Sequence, residues 1–214
     1  LKMTIQTQPK IEVDVKPRAI YSARVEAPFD VAKETLESNN YRIISLEENA
    51  RLRIQEGKNH DVSRYGNWTR EGFVYIHSKG IFLTKNSPIM DFSQEATQCH
   101  RKGREFYLNN QQIEKSLADA VEIPADIKPI STKRFGDDEI TDYVFGDVAK
   151  QYGEFLKDSG IDEMPIWLAN ISGKPFARQM WFSDLDDRSD LNGDNRGLYY
   201  DNSMRGVNET GEAS

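Results

Sequence analysis

The chain has 214 residues, a formal charge of −7, a pI of about 5.1 and a mean hydropathy of −0.70. That length can bury a sizeable core; the acidic balance offers no field to recruit nucleic acid, and no apolar run approaches the ~20 residues of a membrane span. A single cysteine, Cys99, excludes an internal disulfide and a multi-cysteine zinc site.

Residues 1–17 are polar, contain proline and lack the apolar segment of a secretory signal, so they read as a flexible extension. The three N-x-S/T sequons, at Asn67, Asn170 and Asn208, are accordingly read as incidental. A domain over 18–207 follows. Pro28-Phe29 opens a helix carrying Phe29, Val31, Ala32 and Leu36, and Asn39-Asn40 stops it. Residues 41–45 and 50–54 read as strands about a turn at Glu47-Glu48-Asn49, and 60–71 as a polar, aromatic loop. Phe73 to His77 and Ile81 to Thr84, joined by Ser78-Lys79-Gly80, make a hairpin.

The middle reads as helical. Ser93 caps a segment with Ala96, Cys99, Phe106 and Tyr107 that ends at Asn109-Asn110; Ile113, Leu117 and Val121 mark a second helix. After a linker between Pro124 and Pro129, Asp137-Asp138-Glu139 suits the start of a longer helix. Its face carries Ile140, Val144, Val148, Tyr152 and Phe155, and Gly160 closes it. Residues 165–169, 176–182 and 203–207 read as strands, and 208–214 as a disordered tail. Strands near both ends with helices between them predict an α+β fold whose ends pair in one sheet.

The 21 residues from Ser183 to Ser203 stand apart. They hold six Asp, three Asn, and Ser, Gly, Leu, Tyr and Arg, with no Lys, Glu, Gln, Met or Trp. Those five types make up roughly a fifth of an average chain, so chance gives such a window about one time in a hundred. A solvated acidic loop would mix Glu with Asp.

Three chemistries compete for the window. Asp190, Asn192, Asp194 and Asp201 fall at positions 1, 3, 5 and 12 of an EF-hand-like calcium loop. Asn195 replaces the glycine of position 6, Asp201 replaces the bidentate Glu, and no amphipathic helices flank the loop. An Asp-rich surface loop explains these residues better, so no metal is assigned. Asp184, Asp186, Asp187 and Asp190 could pair for acid–base hydrolysis, as any acidic loop could, with no nucleophile to mark a site. His60, His77 and His100 are scattered, and structural roles suit the last two. Recognition accounts for most: Tyr199-Tyr200 among Ser, Gly, Asn and Asp has the composition of antibody contact loops, where tyrosine supplies rigid area and small polar residues adapt.

P-I-W-L at 165–168, F-A-R-Q-M-W-F at 176–182, the Asn/Asp/Ser/Tyr-rich stretch and a closing M-R-G-V at 204–207 carry a resemblance. Together they resemble the C-terminal region of variable proteins of diversity-generating retroelements, the archaeal and archaeal-virus type above all. The resemblance implies a C-type-lectin-like fold and a variable region of about 176–207. In that family a reverse transcriptase miscopies adenines of a template repeat, largely in AAC and AAT codons. Changing the first two bases of such a codon never gives Lys, Glu, Gln, Met or Trp, the set missing from the window.

The resemblance further implies a non-enzymatic protein, without cofactor, displayed on a virion or cell surface. Its ligand-binding positions would be Asp184, Asp186, Asp187, Ser189, Asp190, Asn192, Asp194, Asn195, Tyr200, Asp201 and Asn202. Trp181, Phe182, Leu198, Arg205, Gly206 and Val207 would be scaffold, with Arg178 bonding loop carbonyls and Gly193 serving tight backbone geometry. Two arginines against six aspartates give the window a charge of −4, which suits a basic protein partner. The alternatives are a calcium-dependent carbohydrate binder using 190–201 and an enzyme of the formylglycine-generating type, whose paired cysteines a lone Cys99 does not match.

Overall fold

The computed structural model describes residues 11–15, 21–171, 173–186, 188–194 and 197–208. In chain order the strands are β1 (Glu12–Val15), β2 (Tyr21–Ala27), β3 (Arg42–Ile43), β4 (Asn67–Ile76), β5 (Gly80–Thr84), β6 (Phe106–Tyr107), β7 (Ala120–Ile123), β8 (Ile130–Ser131), β9 (Glu163–Met164), β10 (Ile166–Trp167), β11 (Phe176–Phe182), β12 (Leu191–Asn192) and β13 (Asn202–Asn208). The helices are α1 (Phe29–Ser38), α2 (Leu46–Glu56), α3 (Asp61–Arg64), α4 (Ser93–Arg101), α5 (Asn110–Leu117), α6 (Glu139–Phe145) and α7 (Ala149–Asp158).

One mixed sheet runs β1-β2-β13-β4-β11-β12-β10, with β3 on β13, β6 on β11, and β5 bridging β4 to β7; β8 and β9 pair separately. The expected pairing of the two ends is present: β13 lies antiparallel to β2 from Asn202↔Ala27 to Asn208↔Tyr21. Glu12–Val15, expected in a flexible extension, instead pairs with β2. Residues 1–10, 16 and 17 of that extension and the tail beyond Asn208 lie outside the described residues.

The central strands β4 and β11 are covered on both faces. Phe73 and Tyr75, with Phe176, Met180 and Phe182, point into a core shared with α2, α6 and α7. The alternate positions Val74, Ile76, Ala177 and Trp181 point into a second core under α1 and α4. Strands buried on both sides read as continuous apolar runs, which is why 176–182 was legible as a strand.

Several elements differ from the sequence expectation. Residues 46–56 form a helix, not a turn and strand, because Ser45 and Glu48 make a reciprocal capping box and Glu47 pairs with Arg51 one turn on at 2.6 Å. Asn109 caps α5 with Gln112 in the same way, so it starts a helix rather than ending one. Phe106-Tyr107 and Val121 belong to strands β6 and β7. The long helix after Asp138 breaks at Gly146, which takes φ +52° and passes so close to Glu47 that a Cβ would lie 2.8 Å from its Oε2. Residues 60–71 are not a loop: His60 caps α3, and β4 begins at Asn67.

Candidate functional site

Five residues line up across one end of the sheet. Met204 pairs with Trp68, Trp68 with Trp181, Trp181 with Asn192, and Asn192 with Trp167. Met204, Trp68 and Trp181 are buried, and the two indoles meet edge to face at 5.1 Å. Asn192 is half-buried and Trp167, on the edge strand β10, is 43% exposed. The segment 183–190 joins β11 to β12 at this end, and 193–201 joins β12 to β13, leaving β12 beside Trp181 with Gly193 against Phe73 and Tyr75. Four strand spacings make the row about 19 Å wide.

The first segment is tied down by buried groups. Arg53, on α2 and fully buried, donates to the carbonyl oxygens of Ser183 at 2.7 Å and Val62 at 3.2 Å, and to the Tyr152 hydroxyl at 3.1 Å. Its guanidinium also stands 3.8 Å from the centroid of the Phe182 ring. Tyr152 in turn shares a 3.0 Å hydrogen bond with Ser189. The Leu185 amide donates to Ser63 O at 2.9 Å, and the Ser183 amide to Asp190 O at 3.1 Å. Leu185, Leu191 and Leu198 are all fully buried and pin the backbone at three places.

Asp190 forms a second knot. Its carboxylate accepts from the Ser183 hydroxyl, from Trp167 Nε1 at 3.2 Å and from Arg188 Nε at 3.2 Å, while the Arg188 guanidinium stands 5.6 Å from the Trp167 ring centroid. Next to it the Gly193 amide donates to Trp167 O at 2.9 Å. Gly193 is there because a Cβ would fall 2.1 Å from the Phe73 ring.

The expected binding positions therefore divide. Asp186, Asp194, Tyr200 and Asp201 are exposed, and Asp184, Asn192 and Asn202 are half-buried. Ser189 and Asp190 are corrected: both are buried, at 0% and 3% exposure, because their polar atoms hold Tyr152, Ser183 and Trp167. Asp187 and Asn195 lie outside the described residues. The four positions with calcium-loop spacing do not form one loop. Asn192 on β12 and Asp201 at the start of β13 are separated by β11 and β4, about 14 Å of sheet, and Asp190 faces inward. Among the described residues no three His, Cys, Asp or Glu are grouped to hold a metal ion.

The expected scaffold residues Trp181, Phe182, Leu198, Arg205, Gly206 and Val207 are all buried. Arg205 Nη1 donates to Ser22 Oγ at 2.8 Å, and Gly206 lets Leu36 and Tyr41 close on the strand. Arg178 does not bond loop carbonyls; it pairs with Glu105. The residue that does is Arg53, which the sequence reading missed by placing it in a strand.

Residues 198–200 form a turn, so strand alternation drives neither tyrosine inward; Leu198 goes in instead. The Tyr199 and Tyr200 rings meet with centroids 4.1 Å apart and planes tilted by 39°, and Tyr199 donates to the Tyr200 hydroxyl at 2.7 Å. Behind them a cleft of about 210 Å³ is lined by His100, Glu105, Arg178 and Tyr199. His100 Nδ1 accepts from the Leu198 amide at 3.5 Å, and burial, with the Arg178 charge adding to it, pushes the imidazole pKa down to about 4. Of the other histidines, His77 is exposed in the β4–β5 turn. Cys99 is half-buried on α4.

No family model matches the chain, and no curated protein matches it. Among solved structures it is similar to one described as "Accommodation of massive sequence variation in Nanoarchaeota by the C-type lectin fold". The TM-score is 0.64 at 14% identity, over 92% of this chain and 99% of that one. The chain has the C-type lectin fold.

Proposed function

We propose that this protein is a non-enzymatic binder whose recognition face is diversified at adenines by retroelement mutagenesis and displayed on a virion or cell surface. One observation carries the reading: the window lacking Lys, Glu, Gln, Met and Trp coincides with the two segments that flank β12, and its exposed positions among the described residues are Asp, Arg and Tyr. A surface that must accept many side chains cannot share in the core, because interiors feel even one methylene. Here the leucines, Ser189 and Asp190 hold the backbone, while Asp184, Asp186, Arg188, Asn192, Asp194, Tyr199, Tyr200, Asp201 and Asn202 keep at least part of their surface in solvent.

In this variant the face is acidic and suits a basic protein, with Tyr200, 56% exposed, as an aromatic contact. No nucleic acid, cofactor or membrane insertion enters the reading; no helix among the described residues is long and apolar enough to cross a membrane.

The test is the nucleotide sequence flanking the gene. A near-copy of the segment encoding 176–207 is expected, differing at adenines, with AAC or AAT opposite the exposed Asp and Tyr codons. The buried Leu185, Leu191 and Leu198 should be identical in both copies. A flank without such a copy, in the genome that encodes the chain, would remove the diversification reading and leave the fold.

A further inference from the structure

Trp167 has no part in the core: it lies outside the window, on the edge strand, and 43% of it faces solvent. An indole left in water forfeits burial worth keeping, and this one is nevertheless held in place. Its N–H donates to Asp190 Oδ2 at 3.2 Å, its carbonyl accepts from the Gly193 amide at 2.9 Å, and its backbone pairs in parallel with β12. Asp190 is 3% exposed, so its carboxylate contributes orientation rather than contact. The Arg188 guanidinium over the ring shows what the indole face accepts.

We propose that Trp167 is the constant anchor of the recognition face: a preoriented indole onto which a basic protein partner brings a cationic side chain, with Asp190 as its positioning residue. This rests on the reading of the face as a diversified binding surface and adds what that reading lacks, a fixed source of affinity. Substitution of AAC or AAT codons at their first two bases never yields tryptophan, so such mutagenesis cannot supply this side chain. Aromatic anchors in an interface carry a disproportionate share of its binding energy, and a ring locked by a buried hydrogen bond loses little entropy on binding. Charge complementarity names the partner: Asp186, Asp194 and Asp201 are exposed around the row that ends in Trp167.

The protein has three tryptophans, and Trp68 and Trp181 are 0% and 7% exposed, so acrylamide quenching of intrinsic fluorescence reports chiefly on Trp167. Asp184, Asp186, Asp194, Tyr200 and Asp201 would be randomised in the wild-type and Trp167→Ala backgrounds and selected against ribonuclease A, a basic protein without tryptophan. The wild-type background is expected to yield at least about ten times more binders, tenfold being about 1.4 kcal/mol, and their complexes should lose the quenchable fraction. Equal yields from two folded backgrounds, or complexes that leave the indole as quenchable as before, would overturn the anchor while leaving the diversified face intact. No binders from either background would overturn that face and the anchor with it. Quenching of binders from the wild-type background needs no substitution at Trp167, so it decides the matter even where Trp167→Ala fails to fold.

Discussion

Arg53 Nη2 and the carbonyl oxygen of Ser183 meet at 2.7 Å across 130 residues of chain, and the first residue of the window is thereby fixed to α2. The guanidinium has no exposed surface and makes three hydrogen bonds and a ring contact. Removing one partner from such a buried, charge-assisted network leaves acceptors unpaired.

Arg53→Met is therefore expected to destabilise the fold by about 3 kcal/mol or more, lowering the melting temperature by roughly 6–12 °C at this chain length. Differential scanning calorimetry checks it. A change of less than about 1 °C would mean that Arg53 does not hold the loop.

The split of the window gives a second contrast. Asp190→Ala removes the acceptor for Ser183, Trp167 and Arg188 and should cost about 2 kcal/mol. Replacing Asp186, Asp194 and Tyr200 together, all exposed, should change stability by less than about 1 kcal/mol. Urea denaturation measures both, and the reverse order would undo the division into anchors and surface.

How far these relationships were legible differs by residue. Strands β5 and β11 and the second half of β4 were readable because burial leaves apolar runs, whereas β13, with only Met204 and Val207 as large apolar residues, carries no such run. Scaffold positions from Trp181 to Val207 followed from the motif resemblance. Arg53 was not readable: Leu52 and Ile54 alternate with Arg51 and Arg53, which imitates a strand, while the capping box Ser45–Glu48 that starts the helix lies several residues upstream. Ser189 and Asp190 were misplaced for a different reason. Residue type marks them as surface, and only the tertiary positions of Tyr152 and Trp167 make a buried carboxylate and hydroxyl tolerable.

Gly193 lies inside the window yet has no room to vary. Gly193→Ala puts a methyl 2.1 Å from Phe73 Cδ2 and 2.9 Å from the Tyr75 hydroxyl, so β12 or the Phe73 ring must move. The expected cost is about 2–3 kcal/mol, against about 3–5 kcal/mol for the cavity opened by Trp181→Ala. Chemical denaturation of the two variants tests this, and a neutral Gly193→Ala would show that β12 yields freely.

Two buried titratable groups pull stability in opposite directions with pH. Burial raises the Glu71 pKa to about 7 from 4.5, outweighing the hydrogen bond its carboxylate accepts from the Leu46 amide. The native state then binds more protons than the unfolded chain between pH 4.5 and 7, and stability falls as pH rises through that window. His100 is the mirror case. Its pKa drops to about 4 from 6.5, the unfolded chain binds the extra proton, and stability rises with pH across that window. Each effect is of order 3 kcal/mol at full extent, so between pH 4.5 and 6.5 they nearly cancel. Wild-type stability should be almost flat there. Glu71→Gln should unmask a rising profile, and His100→Asn, whose amide oxygen can replace Nδ1 as acceptor for Leu198, a falling one. Urea midpoints at half-unit pH steps would show the two slopes; parallel profiles for the two variants would place at least one of these groups in contact with water.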